Sequence, residues 1–195
     1  MRSPRAWNAV TFTLALKMIH FGASTIAAPA APLLARFCRI ALVVLLVTPS
    51  FVARAEGLRA GDVAAPIDIE LINGKVIAAR HLEGKVVLHY FWATWCPICH
   101  QDMGKLQKIY RALHSRGFEI IAHSLDDDPG IVTEYWRERG YTFPVAMRSA
   151  EAREIFGPIR GTPTFFLIDR KGALRLTRLG VLPEGELEAR IAALL

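Results

Sequence analysis

Two cysteines separated by two residues constrain this chain most, because they follow directly on a segment that reads as a buried strand. Residues 86–92 are Val-Val-Leu-His-Tyr-Phe-Trp, and Cys96 and Cys99 come shortly after them. Pro97 suits the first turn of a helix, where a missing backbone N–H costs nothing. A strand that gives way to a helix at a Cys-x-x-Cys pair is typical of a redox-active dithiol on an α/β domain.

Cys96 is predicted to cap this helix. The unpaired N–H groups and the positive end of the helix dipole then favour its thiolate, which is the form that attacks a disulfide. Cys99 lies one turn further along and is expected to be less exposed. We expect it to attack the mixed disulfide formed at Cys96 and to release the substrate.

Three other interpretations of the cysteine pair stay open. A zinc site needs two more ligands, and the only other cysteine, Cys38, lies in the N-terminal segment. Residues 96–100 also spell the Cys-x-x-Cys-His attachment sequence of c-type haem, but nothing selects a distal ligand such as Met103 or Met147. The third interpretation is a structural disulfide, although a bond that closes a two-residue loop constrains the unfolded chain very little.

Residues 1–55 are interpreted as a signal peptide or an N-terminal anchor. They contain six basic residues and no acidic one, and an apolar run over 40–47 precedes small residues that end at Ala55. This order is typical of a signal peptide, so we expect cleavage after Ala55 and a mature domain over 56–195. Retention as an anchor is the alternative, but the charge-free run is shorter than the roughly 20 residues of a membrane span. Met18 is an alternative start.

The charge of the chain is concentrated in its leader. The 24 Lys and Arg residues outnumber the 18 Asp and Glu residues by six, and residues 1–55 account for that whole excess. The remaining domain is therefore neutral and lacks the basic footprint of a nucleic-acid-binding protein. We expect no nucleic-acid partner, and membrane contact only through residues 1–55 if they are retained.

Strands and helices alternate along residues 56–195, which indicates one α/β domain. Asn73 and Gly74 predict a hairpin turn near its N-terminus. The acidic run 126–128 precedes a helix, so capping is preferred to calcium binding. The predicted strands cover 67–71, 75–77, 86–92, 118–123, 143–145, 164–168 and 173–179, and the predicted helices cover 97–115, 131–139, 150–156 and 184–195.

A second motif, Gly-Thr-Pro-Thr over residues 161–164, places Pro163 immediately before an apolar strand. A cis proline there, beside the dithiol, would expose the Thr162 backbone to pair with an incoming peptide. An ordinary trans proline at a strand entrance is the alternative.

Together, Trp-Cys-Pro-Ile-Cys over 95–99 and the motif over 161–164 resemble the thioredoxin superfamily, along essentially all of residues 60–195. More narrowly, the N-terminal hairpin, the lead-in over 82–88 and the extra helix and strand that end near 141–145 resemble the exported TlpA/ResA/DsbE group. The resemblance implies an α/β, thioredoxin-like fold with a mixed central sheet flanked by helices, an N-terminal β-hairpin and a TlpA-type helix-strand insertion.

The resemblance also implies roles for individual residues. Pro163 takes the place of the cis proline that faces the disulfide. Tyr90 occupies the position of the buried acidic or amide residue of these proteins, so no carboxylate acts there. Asp102 occupies the position where this group often has Glu, and we expect it either to act as base for Cys99 or to be an exposed first-turn residue.

Other side chains near the dithiol receive simpler predictions. We take Trp95, Pro97 and Thr162 as residues that contact the substrate, although Trp92 and Trp95 are also expected to pack beside the dithiol. His89 is expected in the core or at a strand edge. His100 is expected at an exposed helix position, with electrostatic tuning of the thiolate as the alternative.

The residues and the resemblance together predict a periplasmic thiol:disulfide oxidoreductase with no cofactor beyond its Cys96–Cys99 disulfide and no metal. By resemblance the direction is reductive, the substrate an apocytochrome c or another exported dithiol protein. A membrane electron donor has to re-reduce the pair, because an oxidising periplasm would otherwise trap the disulfide. The alternatives are an oxidant that donates its disulfide and, in another class, a copper- or haem-binding module.

The leader hypothesis predicts the N-terminus of the exported protein. N-terminal sequencing of the exported protein should give Glu56 as its first residue, because the small residues before it match what signal peptidase recognises. An intact leader in the membrane fraction would instead establish an anchor.

Overall fold

The computed structural model describes residues 57–195. The predictions for the leader, its cleavage after Ala55, the alternative start at Met18 and the isolated Cys38 lie outside the described residues. Within the described part, no helix is long and apolar enough to cross a membrane.

Seven strands and four helices follow one another along the described residues. The strands are β1 (Ile69–Glu70), β2 (Val76–Ile77), β3 (Val86–Trp92), β4 (Phe118–Ser124), β5 (Val145–Met147), β6 (Thr164–Ile168) and β7 (Leu174–Leu179). The helices are α1 (Pro97–Leu113), α2 (Pro129–Arg139), α3 (Ala150–Phe156) and α4 (Glu186–Leu194), with short 3-10 turns at Ala79–His81 and His114–Arg116. Every predicted element is present, with bounds that differ by two residues at most.

The central sheet has the order β5-β4-β3-β6-β7 and mixes parallel with antiparallel pairing. Strand β3 pairs in parallel with β4, so the carboxyl ends of both strands lie at one edge of the sheet. It pairs antiparallel with β6, whose first residue, Thr164, lies opposite Phe91. This edge therefore receives the end of β3, the end of β4 and the start of β6.

Every residue of β3 is buried, because helices or the N-terminal segment cover both faces of the sheet. Leu88, Tyr90 and Trp92 point into the main core, which α1, α2 and α4 complete. Phe91 points to the opposite face, where it packs with Phe156 of α3. The thioredoxin-like α/β fold with helices on both sides of a mixed sheet is thus confirmed.

The N-terminal hairpin and the helix-strand insertion are also confirmed. Strands β1 and β2 pair antiparallel as a separate two-stranded sheet around the predicted turn. The insertion consists of α2 and β5, which adds in parallel to the free edge of β4.

The bounds of β5 correct the sequence prediction, which placed this strand at residues 143–145. Phe143 precedes the strand, and its carbonyl accepts a hydrogen bond of 3.2 Å from the Trp136 indole N–H. The two rings also meet edge to face, with their centroids 4.9 Å apart. The large apolar side chain at 143 therefore reflects packing against α2 rather than strand pairing.

The face of the sheet that carries α3 buries two histidines. His89 Nδ1 lies 2.9 Å from His123 Nε2, and the rings pack against Phe91 and Phe156. Burial lowers the pKa of His89 to about 3 and the pKa of His123 well below its ordinary value. Both rings are therefore neutral in the folded protein, and one proton joins them. The core position predicted for His89 is confirmed.

This pair predicts acid sensitivity. Below pH 6.5, the ordinary pKa, the unfolded chain takes up protons that the folded pair refuses, so stability is present above that pH and is lost as the pH falls. The free energy of unfolding should drop by about 1 kcal/mol per histidine for each pH unit below the ordinary pKa. Urea titrations between neutral pH and about pH 5 measure this loss. Replacing both histidines by Leu should flatten the dependence, and an unchanged slope in that double variant would contradict the assignment.

Candidate active site

Cys96 is the N-cap of α1, as the sequence predicts. Its backbone is extended, Pro97 occupies the first helical turn, and Cys96 Sγ accepts a hydrogen bond of 3.2 Å from the Cys99 N–H. The two cysteines form a disulfide, with their Cα atoms 5.3 Å apart. The sulfur of Cys96 thus lies where the unpaired N–H groups and the positive helix dipole stabilise a thiolate.

The surroundings of the disulfide distinguish its two cysteines. Cys99 is completely buried and Cys96 retains 4% exposure, whereas Pro97 and Ile98 between them are exposed. A substrate can therefore approach the site only from the side of Cys96. The predicted order of exposure is confirmed.

The two tryptophans near the site differ from the prediction that both pack beside the dithiol. Trp92 is fully buried and contacts the rings of Tyr135 and Trp136 on α2. Trp95, by contrast, is 65% exposed. The packing prediction is therefore wrong for Trp95, because this residue lies in the loop before Cys96 and points away from the core.

The Thr162–Pro163 peptide bond is cis, as predicted, and lies at the same sheet edge as Cys96. The Pro163 carbonyl accepts a hydrogen bond of 2.8 Å from the Gly180 N–H, and the Thr164 hydroxyl donates to the Gly161 carbonyl at 2.7 Å. Within residues 57–195, no protein group is hydrogen-bonded to the Thr162 backbone. The Thr162 N–H and carbonyl are therefore available to another chain.

Tyr90 lies beneath the second cysteine. Its side chain is completely buried, and its hydroxyl points to the Cys99 carbonyl at 3.5 Å, which is longer than an ordinary hydrogen bond. Burial, together with the nearby Asp102 charge, raises the pKa of Tyr90 well above its usual value. The phenol therefore stays neutral and does not replace a carboxylate.

Asp102 is buried on α1, one turn beyond Cys99, so the alternative of an exposed residue is wrong. Its side chain lines a groove of about 430 Å³ between α1 and α4, and Oδ2 has no hydrogen-bond partner among the described residues. Burial raises the pKa of Asp102, and the Lys105 charge opposes that shift. A buried carboxyl with one unpaired oxygen beside an open groove can exchange a proton with solvent.

A polar network around Thr94 escaped the sequence analysis. Asp126 accepts from the Thr94 N–H at 2.9 Å, from the Thr94 hydroxyl at 2.6 Å and from the Ser124 hydroxyl at 2.6 Å. Only Asp128 of the acidic run caps α2, by accepting from the Gly130 N–H at 2.7 Å. The available signal was that Thr94 and Asp126 follow neighbouring strands whose carboxyl ends share one edge.

His100 also differs from the prediction of an exposed helix position. It is half-buried, its Nε2 lies 2.8 Å from the Thr94 carbonyl, and its ring stacks on Tyr135. The haem interpretation of residues 96–100 loses support, because this nitrogen is already engaged by backbone. Among the described residues, no group of three or more His, Cys, Asp or Glu side chains is placed to hold a metal ion.

Comparison with known proteins supports a redox site. The family model described as Redoxin matches residues 59–195. A thiol-disulfide oxidoreductase ResA from Halalkalibacterium halodurans is 31% identical over 140 residues, which are 71% of this chain and 79% of the relative. The protein of the same name from Oceanobacillus iheyensis is 33% identical over 137 residues, covering 67% of this chain and 70% of the relative.

Solved structures show the same similarity. A thiol:disulfide interchange protein of the thioredoxin family from Chlorobium tepidum superposes with a TM-score of 0.64 at 25% identity, covering 71% of this chain and 99% of that protein. A second Chlorobium tepidum structure, assigned as DsbE, gives 0.63 at 29% identity, covering 71% of this chain and 100% of that protein.

The position of Asp102 predicts a change in the thiol titration of the reduced protein. Replacing Asp102 by Asn removes a negative charge one helical turn from Cys99, so the thiols should titrate lower by roughly one pH unit. Thiolate absorbance measured against pH gives the shift. Glu154→Gln is the matched control, since this exposed carboxylate lies on α3 at the other face of the sheet. A titration curve for Asp102→Asn that matches the parent would remove Asp102 from the chemistry.

Proposed function

The chain belongs to the Redoxin family and is a thiol:disulfide oxidoreductase, and we propose that it is an exported reductase whose reacting groups are Cys96 and Cys99. The observation that carries this proposal is the disulfide at the start of α1, with one sulfur at the helix cap and the other buried. The chemistry needs no resident cofactor beyond this disulfide, and we assign no metal to the site.

In the first step, the Cys96 thiolate attacks one sulfur of a substrate disulfide. A bond forms between Cys96 and that sulfur, the substrate S–S bond breaks, and the second substrate sulfur leaves as a thiolate that takes up a proton. The N-cap position supports this role, since helix N–H groups favour the thiolate and its sulfur is the less buried of the two.

In the second step, Cys99 resolves the mixed disulfide. Its thiol loses a proton and attacks Cys96 Sγ, and the remaining substrate sulfur leaves and is protonated. Two electrons and two protons have then passed to the substrate, and the Cys96–Cys99 disulfide remains. We assign the acceptance of the Cys99 proton to Asp102, because its raised pKa suits a base and its groove opens to solvent.

The substrate is a polypeptide that lies across the edge of the sheet. We infer that it pairs with the unpartnered backbone of Thr162 next to Pro163, as an added strand does in other peptide complexes. The exposed side chains of Trp95 and Pro97 supply apolar contact on the other side of Cys96. Main-chain pairing accepts many sequences, which fits an enzyme that acts on several exported proteins.

The compartment and the partners follow from the leader. A basic and then apolar leader over residues 1–55 supports export to the periplasm, with the domain released or held at the membrane by that segment. In that oxidising compartment a reductase needs a membrane electron donor to restore its thiols. The name ResA among the relatives is consistent with the proposed substrate class, disulfides of apocytochrome c or of other exported dithiol proteins, in cytochrome c maturation.

The reductive direction predicts the redox potential. The protein as isolated, equilibrated in graded thiol buffers and scored by the fraction of reduced Cys96–Cys99, should have a potential near −270 mV, about that of thioredoxin. A value near about −120 mV would identify an oxidant and reverse the proposed direction. Copper or a haem Soret band that copurifies with a protein inactive in disulfide exchange would favour a binding module instead.

A further inference from the structure

The loop between β3 and α1 is held from two sides through one residue, Thr94. On one side, the Asp126 carboxylate accepts both the Thr94 N–H and the Thr94 hydroxyl, at 2.9 and 2.6 Å. Ser124 donates to the same carboxylate at 2.6 Å and thereby orients it. Asp126 is thus fixed to the end of β4, and Thr94 is fixed to Asp126.

On the other side, His100 reaches back from α1 to the Thr94 carbonyl, with Nε2 and the oxygen 2.8 Å apart. A carbonyl oxygen only accepts hydrogen bonds, so Nε2 carries the hydrogen and donates it. The imidazole ring is itself oriented by stacking on Tyr135, with centroids 5.2 Å apart and an interplanar angle of 28°. The hydrogen bond therefore links the loop to both α1 and α2.

The carbonyl that His100 binds belongs to the peptide bond between Thr94 and Trp95. This peptide plane decides where Trp95 points, and the described residues provide no hydrogen bond or ring contact that holds the Trp95 indole. An indole that is 65% exposed and immediately precedes Cys96 is thus positioned by its backbone alone.

We propose that His100 is a positioning residue: by donating from Nε2 to the Thr94 carbonyl, it fixes the Trp95 indole beside Cys96 for contact with a polypeptide substrate. This inference rests on the disulfide exchange described above, in which Trp95 contacts the substrate. It assigns His100 no contact with the reacting sulfurs.

The competing explanation is that the imidazole acts on Cys96 through its charge. Two amide side chains separate these roles, because the side-chain nitrogen of Gln reaches about as far as Nε2, whereas that of Asn reaches about as far as Nδ1. His100→Gln can keep the hydrogen bond to Thr94, and His100→Asn cannot. Neither variant carries a charge, so an electrostatic role is lost equally in both.

The test compares two substrates in the full-length protein: a short peptide with one internal disulfide, and the small aromatic disulfide 5,5′-dithiobis(2-nitrobenzoate). We expect His100→Asn to slow exchange with the peptide about fivefold, the effect of one lost hydrogen bond. It should change the rate with the small disulfide less than about twofold. His100→Gln should restore most of the peptide rate, and urea midpoints establish that both variants are folded.

A double variant shows whether the effect passes through Trp95. In a Trp95→Ala background, His100→Asn should produce no further loss with the peptide, because the side chain that it positions is absent. Additive losses would overturn the proposal, and so would equal losses in the Gln and Asn variants or equal slowing of both substrates. If the enzyme works only as an oxidant, the same ranking is measured with the reduced peptide, so failure of the direction and failure of this inference remain distinct.

Discussion

The pairing of β3 with its two neighbours is the constraint on which the site depends. Because β4 runs parallel to β3 and β6 runs antiparallel, one sheet edge receives the ends of the first two strands and the start of the third. That edge brings together Cys96, which follows β3, Asp126, which follows β4, and Pro163, which precedes β6. These three residues are far apart in the chain, and no local element places any two of them together.

The two faces of the same strand serve different purposes. Tyr90 and Trp92 face the core that α1 completes, where burial keeps a phenol neutral and supports the helix that carries the cysteines. His89 faces the other side, where it pairs with His123 and both rings remain uncharged. Redox chemistry and acid sensitivity are therefore separated by one layer of the sheet, although alternating residues of a single strand contribute to both.

Sequence reasoning succeeded where the signal is local. The cap at Cys96, the alternation of strands and helices, and the motif around Pro163 are short-range patterns whose geometry follows from turn and helix chemistry. It failed where a polar side chain has its partner on another element. His100 has its carbonyl partner six residues back and its stacking partner on α2, so its position on α1 alone suggested solvent exposure.

The sequence by itself determined the fold class, the dithiol and the helix cap that activates it, because each is encoded by neighbouring residues. Only the tertiary structure decided that Asp102 is buried beside a groove, that Trp95 is exposed, and that Asp126 holds the loop rather than capping a helix. Burial and hydrogen bonding depend on which elements pack together. Residue type and periodicity carry no information about a partner that lies more than thirty residues away, as Asp126 lies from Thr94.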